Sequence, residues 1–106
     1  MRKTIKIARD FSRYPYGRSK KYSRTSGEEF RERFLLPAFK DSEEITEIVV
    51  DLDGTEGYGS SFLDEAFAGL VRDSGIDKNI VLQKLCFISN EDPSLIKEIK
   101  SYIESE

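Results

Sequence analysis

The stretch VVDLDGTEGYGSSFL, residues 49–63, decides the fold. The apolar run that ends at Asp51 is typical of a central strand, because both faces of such a strand carry hydrophobic side chains. A glycine-rich loop follows, and glycine permits backbone angles that other residues avoid. Apolar residues then recur at helical spacing over 61–73, which predicts a helix that ends at Gly75. The glycines of the loop are Gly54, Gly57 and Gly59.

Strands and helices alternate in the rest of the chain as well. Ser26 and Glu29 form the pattern of a capping box, which predicts a helix that begins there and ends before Pro37. A final helix is predicted to begin at Pro93, because proline is favoured in a first helical turn. The other predicted strands are 3–8 and 81–89.

This order of elements predicts an α/β fold of one domain, residues 1–106. We expect a mixed central sheet with three helices packed on it. In this arrangement the first strand pairs antiparallel through a basic loop at 12–25. That loop is longer than most connections in small domains, which makes it a candidate functional loop.

The composition restricts the possible functions. The chain has 106 residues, 35% of them charged, and its apolar runs are too short to span a membrane. It contains no histidine, which excludes a histidine-ligated zinc site and a Ser-His or Cys-His catalytic pair. Cys86 is the only cysteine, so no internal disulfide can form. We therefore expect a cytoplasmic protein with no membrane contact and no cofactor.

Charge is distributed unevenly along the chain. Residues 1–24 contain nine Lys or Arg residues and one acid, whereas the remaining residues contain eight bases and nineteen acids. One explanation is that the two parts neutralise each other in the fold. The other is that the basic segment binds an anion or an acidic partner. The residues that would make this contact are Arg13, Arg18, Lys20, Lys21 and Arg24.

Aromatic residues alternate with these cations. Tyr14, Tyr16 and Tyr22 could stack on bases while the cations hold phosphates, so nucleic-acid or phosphate-ligand binding is an alternative function. The tyrosines could instead cover the open edge of a small sheet. An acidic protein partner, or the acidic body of a second copy, also fits such a loop. The sequence contains no RNA-binding or DNA-binding motif.

Asp51 and Asp53 stand in DLDGT, which resembles the first motif of haloacid-dehalogenase-type phosphatases. In such an enzyme, Asp51 would attack phosphorus, Asp53 would act as acid and base, and Mg²⁺ would lie between them. Ser89 matches the place of a second motif. Only 17 residues follow Ser89, and they predict no strand that could supply the further carboxylates of the metal site. A strand-end turn is the alternative, and we expect it for the two acids.

Nine residues after Asp51, a pair of serines opens the predicted helix. In SGEEFRERFLLPAF (26–39) and VDLDGTEGYGSSFLDEAFAGLVR (50–72), the chain resembles STAS domains, the family of sulfate transporters and anti-sigma factor antagonists. It is most similar to an uncharacterised bacterial STAS-like branch. The resemblance implies a small STAS-like fold and a non-enzymatic, regulatory protein-interaction module.

The resemblance also implies how such a module is controlled. In the antagonists, a partner ATPase of histidine-kinase-like fold phosphorylates the first serine of the pair, which corresponds to Ser60, with Ser61 beside it. This chain has Gly59 where the antagonists usually have Asp, and Phe62 where they have Gly. Helix capping is the alternative role of the serines, with Ser61 and Asp64 as a capping box. The expected partner contacts are Asp53, Gly54, Thr55, Gly57, Tyr58, Gly59 and Phe62.

Overall fold

Three short strands form a parallel sheet in the order β1-β2-β3 in the computed structural model, which describes residues 1–41 and 44–106. In the register of the sheet, Ile5 lies beside Val50, and Val50 lies beside Phe87. A single π-helical turn, Ile7–Phe11, follows β1 directly. The strands are β1 (Arg2–Lys6), β2 (Glu47–Asp51) and β3 (Leu85–Ile88).

Two long helices connect the strands, and each changes its hydrogen-bond pattern in the middle. Helix α1 (27–40) consists of Gly27–Phe30, a π-helical segment Arg31–Leu35, and Leu36–Lys40. Helix α2 (60–72) consists of Ser60–Leu63, a π-helical segment Asp64–Ala68, and Gly69–Arg72. The other helices are α3 (Lys78–Lys84) and α4 (Ser94–Glu104).

The prediction of a mixed sheet is wrong for the described residues, because β1 pairs parallel to β2. Helix α1 supplies the crossover that a parallel connection requires, and the basic loop at 12–25 contains no strand. The prediction of three helices is also wrong. Residues 78–84 form α3 because the Asp77 carboxylate accepts hydrogen bonds from Asn79 N (2.9 Å) and Ile80 N (3.3 Å), which caps the helix. This helix includes the first four residues of the predicted strand 81–89, whereas Leu85–Ile88 form β3 within it.

The predicted helix ends were partly right. Ser26 Oγ accepts from Glu29 N at 3.1 Å, as the capping box requires. Gly75 ends the second helix at φ 71°, and Ile76 N donates back to Leu70 O at 2.9 Å. Helix α1 nevertheless continues past Pro37 to Lys40, because the wider π-helical turn directly before Pro37 changes the hydrogen-bond register.

The hydrophobic core lies on one face of the sheet. Ile5, Ile48 and Val50 point into a core that includes side chains from all four helices. The opposite face carries pairs of charged side chains across neighbouring strands, such as Lys6 Nζ to Asp51 Oδ2 at 3.3 Å. The fold is therefore a two-layer α/β arrangement with one face of the sheet left polar. In the described part of the chain, no helix is long and apolar enough to cross a membrane.

Helices α1 and α2 touch backbone to backbone where both begin. A Cβ atom added at Gly27 would lie 2.5 Å from Phe62 O and 2.9 Å from Ala66 N, so only glycine fits. Above this contact, Phe30 packs on Phe62 with ring centroids 6.0 Å apart, inside a larger aromatic cluster. The start of α2, where the serine pair lies, is thus fixed against the start of α1.

We expect Gly27→Ala to lower the free energy of unfolding by about 1–3 kcal/mol, because the methyl group overlaps the α2 backbone. Gly59→Ala is the matched control, since Gly59 has nothing within 4 Å and an ordinary extended conformation. The control should stay within about 1 kcal/mol of wild type. Urea unfolding of the three proteins measures both values, and equal effects of the two substitutions would contradict the close contact.

Candidate functional site

The basic loop and the start of α2 form a cleft of about 280 Å³. Sequence reasoning treated the loop cations and the serine pair as separate candidates, and the fold brings them to the same place. Ser60 and Ser61 line one side, and Arg18 lies on the other. The full lining is Tyr16, Gly17, Arg18, Gly59, Ser60, Ser61 and Phe62.

The loop is held in place by its own backbone and by α1. Tyr16 N donates to Thr25 O at 2.8 Å, which closes the loop on itself. Gly27 N then donates to Gly17 O at 2.9 Å, and Gly17 adopts a φ of 86° that favours glycine. Because these bonds join the loop to the first residue of α1, the loop takes a defined course beside α2.

Arg18 fastens the loop to α2. Its Nη1 donates to Asp64 Oδ2 at 2.7 Å and lies 3.4 Å from Glu65 Oε1. Glu65 also receives a buried hydrogen bond from Arg31 Nη1 at 2.7 Å, and Arg72 approaches the same carboxylate at 3.4 Å. Three arginines from three parts of the chain thus converge on two adjacent acids at the start of the π-helical segment in α2.

Arg31 is the buried centre of this network, with only 4% of its surface exposed. Its Nη1 also donates to Glu65 O, and a Cβ atom at Gly69 would lie 2.0 Å from it, so glycine makes room for the guanidinium. Burial raises the pKa of the Glu65 carboxyl, but the hydrogen bonds from Arg31, Asp73 and Arg18 and the charge of Arg31 together outweigh this and leave the pKa below its usual 4.5. Glu65 is therefore a carboxylate at neutral pH.

The serines do not cap α2. Gly59 is the residue before the first turn, and no side chain accepts a hydrogen bond there, so the predicted box of Ser61 and Asp64 is wrong. Both serines are exposed, and their hydroxyls have no hydrogen-bond partner among residues 1–41 and 44–106. They lie in the first turn of a 13-residue helix, where free N–H groups and the helix dipole favour negative charge. Phe62 lines the cleft from the core and is fully buried.

Most of the other predicted contact residues, though not Gly54, line a second cleft of about 200 Å³ at the carboxyl end of the sheet. Asp53 connects the two segments that line this cleft, because its two carboxylate oxygens accept hydrogen bonds from Asn90 N (3.1 Å) and Glu91 N (3.0 Å). The bond from Glu91 is the largest cause of a lowered pKa of Asp53. Glu91 in turn accepts from Gly54 N at 2.8 Å. Lining residues include Asp53, Thr55, Glu56, Gly57, Tyr58 and Glu91.

Tyr58 supports the same loop from inside. Its hydroxyl donates to Leu52 O at 2.7 Å, and burial raises its pKa to about 12, so the phenol stays protonated. The ring packs against Phe62 with centroids 5.8 Å apart. The segment between β2 and α2 is thus tied down at both of its ends, which sets where α2 begins.

Asp51 and Asp53 form the expected strand-end turn. Asp51 Oδ1 accepts from Asp53 N at 3.0 Å, and its Oδ2 pairs with Lys6. Ser89 Oγ donates to Asp92 O at 2.6 Å and is buried. Across the described residues, no three carboxylate, thiol or imidazole side chains are grouped closely enough to hold a metal ion.

The basic loop is largely neutralised by the body of the fold. Arg18 pairs with α2, Lys20 Nζ lies 2.6 Å from Glu32 on α1, and Arg13 lies 3.7 Å from Glu56. Lys21 stacks over Tyr22 at 5.5 Å, and Arg24 is exposed; neither forms an ion pair with any described residue. The tyrosines do not cover a sheet edge: Tyr14, Tyr16 and Tyr22 are 63%, 75% and 83% exposed.

Residues 26–95, from the cap of α1 to the start of α4, match the family described as a STAS-like domain of unknown function, DUF4325. The chain belongs to this STAS-like family. No curated protein and no solved structure gave a significant match to the chain. The STAS-like match includes the serine pair and the Arg31–Glu65 pair, whereas β1 and loop 12–25 lie before it.

Sequence reasoning missed the residues that hold the site together. Arg31 and Glu65 read as ordinary polar positions of amphipathic helices, and their pairing depends on how the helices cross. Gly27 and Gly69 carried a usable signal, because glycine inside a helix is costly and often marks a close contact. Arg18 stood among the loop cations, with nothing in the sequence to distinguish it from Lys20 or Lys21.

We expect Glu65→Ala to lower the free energy of unfolding by about 3–5 kcal/mol, because it leaves the buried Arg31 charge without its main partner. Glu56→Ala removes an exposed ion pair and should cost less than about 1 kcal/mol. Because the pKa of Glu65 is lowered in the fold, its contribution is complete above pH 4.5 and is lost as the pH falls through the folded value. Urea unfolding at several pH values should show that the free energy of unfolding falls less on acidification in Glu65→Ala than in Glu56→Ala. The same fall in both variants would contradict a stabilising role of the Arg31–Glu65 pair.

Proposed function

We propose that this STAS-like chain is a non-enzymatic, regulatory protein-interaction module. Its contact surface is the cleft between loop 12–25 and the start of α2, together with the segment 53–59. The observation that carries the proposal is that this cleft unites an exposed tyrosine, an arginine and two serine hydroxyls that have no hydrogen-bond partner in the described part of the chain. The family match to a STAS-like domain supports the same function.

The chemistry of the surface favours a protein partner with an acidic contact region. Tyrosine supplies apolar area and a hydrogen-bonding group together, which suits interfaces. Lys21 and Arg24 add positive charge that no described acid neutralises. The acids that a phosphatase would use are already hydrogen-bonded within the fold, because Asp51 holds Lys6 and Asp53 holds the start of the 90–92 turn. These bonds support a structural role for both.

Ser60 is the proposed control point, and a partner ATPase of histidine-kinase-like fold is the proposed kinase. The Ser60 hydroxyl is exposed and has no hydrogen-bond partner among the described residues, and a phosphate in the first helical turn would be stabilised by free N–H groups. It would also add a charge of about −2 to the docking surface, which would repel an acidic partner. Gly59 and Phe62 differ from the antagonist pattern, so the kinase must recognise other residues, and the exposed Tyr16 lines the same cleft as the serine.

Incubation with the ATPase that co-purifies with the protein, followed by intact mass measurement, tests the control point. We expect a gain of one phosphoryl group in wild type and in Ser61→Ala, and none in Ser60→Ala. Ser60→Glu should weaken binding of the same partner by about tenfold or more, whereas Ser60→Ala should not. If wild type gains no mass and Ser60→Glu binds normally, phosphorylation control is refuted. Loss of binding in Tyr16→Ala would still support the docking surface.

Binding of single-stranded nucleic acid is a second candidate, favoured by the exposure of Tyr14, Tyr16 and Tyr22 beside Lys21 and Arg24. In that case, fluorescence anisotropy with a labelled oligonucleotide at low salt should show binding that Lys21→Ala/Arg24→Ala weakens. Lys97→Ala/Lys100→Ala removes the same charge from the distant helix α4 and is the control. An equal loss in both double variants, or no binding by wild type, would eliminate this candidate.

A further inference from the structure

The two outer strands of the sheet differ sharply in charge. β1 and β3 are both edge strands, and no strand among the described residues pairs with the outer side of either. β1 carries Arg2, Lys3 and Lys6 within five residues. Such an edge repels an identical copy, because like charges would face each other across the new pair. Edge lysines of this kind protect natural sheets from unwanted pairing.

β3 lacks this protection. Its four residues, LCFI, carry no charge, and the side chain of Ile88 is 38% exposed. Branched and aromatic residues such as Ile88 and Phe87 favour strand pairing. The open face of the sheet contains Cys86 and Ile88 on this strand, since both share the face of Val49 and Asp51 in the register. An apolar, uncharged strand edge next to an uncovered sheet face is a surface suited to pairing.

Charges at the two ends of β3 have opposite signs. At its start, Lys84 precedes the strand, and its ammonium donates to Ile45 O at 3.1 Å. The Lys100 ammonium of α4 lies close enough to lower the pKa of Cys86, although the hydrogen bond to Glu47 raises it more. At its end, Glu91 and Asp92 follow the strand and are exposed. An antiparallel copy of β3 would therefore place the cations of each chain near the acids of the other.

We propose that the outer edge of β3 pairs antiparallel with β3 of a second copy of this chain, which forms a homodimer with a continuous six-stranded sheet. The twofold axis then stands perpendicular to the sheet, so the helix layers of both copies lie on one side. Cys86 lies beside Cys86 or Ile88 of the second copy, on the open face. The serine cleft lies between loop 12–25 and α2, so this inference is independent of the docking function.

Mass measurement by light scattering over a concentration series tests the dimer on the wild-type chain. We expect the mass to rise toward twice the 12.2 kDa of one chain as concentration increases. Ile88→Lys should raise the dimer Kd by about tenfold or more, because the new charges meet at the edge. Tyr22→Lys is the control, since Tyr22 is 83% exposed on loop 12–25, and it should leave the Kd unchanged.

A bismaleimide crosslinker of short span provides a second readout that needs no substitution. The single thiol at Cys86 should be joined to its copy in the wild-type dimer, and dilution into the monomer range should abolish the product. A monomer at the highest soluble concentration would overturn the proposal. A dimer that crosslinks poorly at Cys86, or that Ile88→Lys and Tyr22→Lys affect equally, would overturn it too. Circular dichroism of each variant verifies that it is folded.

Discussion

The buried ion pair between Arg31 and Glu65 fixes how α1 crosses α2, and the candidate site depends on this crossing. A guanidinium that is 4% exposed tolerates no shift that would leave its charge unpaired. Gly69 makes room for it, and Gly27 lets the two helices meet at their first turns. Because Glu65 also lies 3.4 Å from Arg18, the same carboxylate that orders the core helps to hold the basic loop at the surface. Glu65 therefore links the packing of α1 against α2 to the position of the basic loop.

The sheet helps to position the candidate site through the turn that ends β2. Asp51 and Asp53 end β2 in a turn whose hydrogen bonds reach Lys6 on β1 and the 90–92 segment after β3. This turn connects the carboxyl ends of all three strands, the place where open parallel sheets present ligand sites. The segment that leads to Ser60 starts from that fixed point and is supported by the Tyr58 hydroxyl. A pattern that resembles a catalytic motif thus anchors the segment that leads to the proposed docking surface.

The sequence was sufficient for the class of fold and for two helix ends, the cap of α1 and the stop of α2. Local chemistry determines these features: Ser26 capping α1 and Gly75 ending α2 depend on neighbours within a few residues. The sequence also located Ser60 and the basic loop, but not their proximity, since the Arg18–Asp64 bond joins residues 46 positions apart. The sheet type and α3 were mispredicted. An apolar run at 81–89 is compatible with helix or strand. The side chain of Asp77 caps a helix that includes the first four residues of this run, and Leu85–Ile88 form β3.

Amide hydrogen exchange of Arg18→Ala, compared with Arg13→Ala, tests most directly whether Arg18 joins the basic loop and α2 into one surface. Arg13 belongs to the same loop, but its ion pair with Glu56 is exposed and long at 3.7 Å. In Arg18→Ala, we predict that the amides of Tyr16 and Gly27, which are bonded across the loop, exchange about tenfold faster or more, because a charge-assisted hydrogen bond is lost. The amides of β2 and of the second half of α2 should be unchanged in both variants. Loop exchange that is the same in Arg18→Ala, Arg13→Ala and wild type would contradict the account.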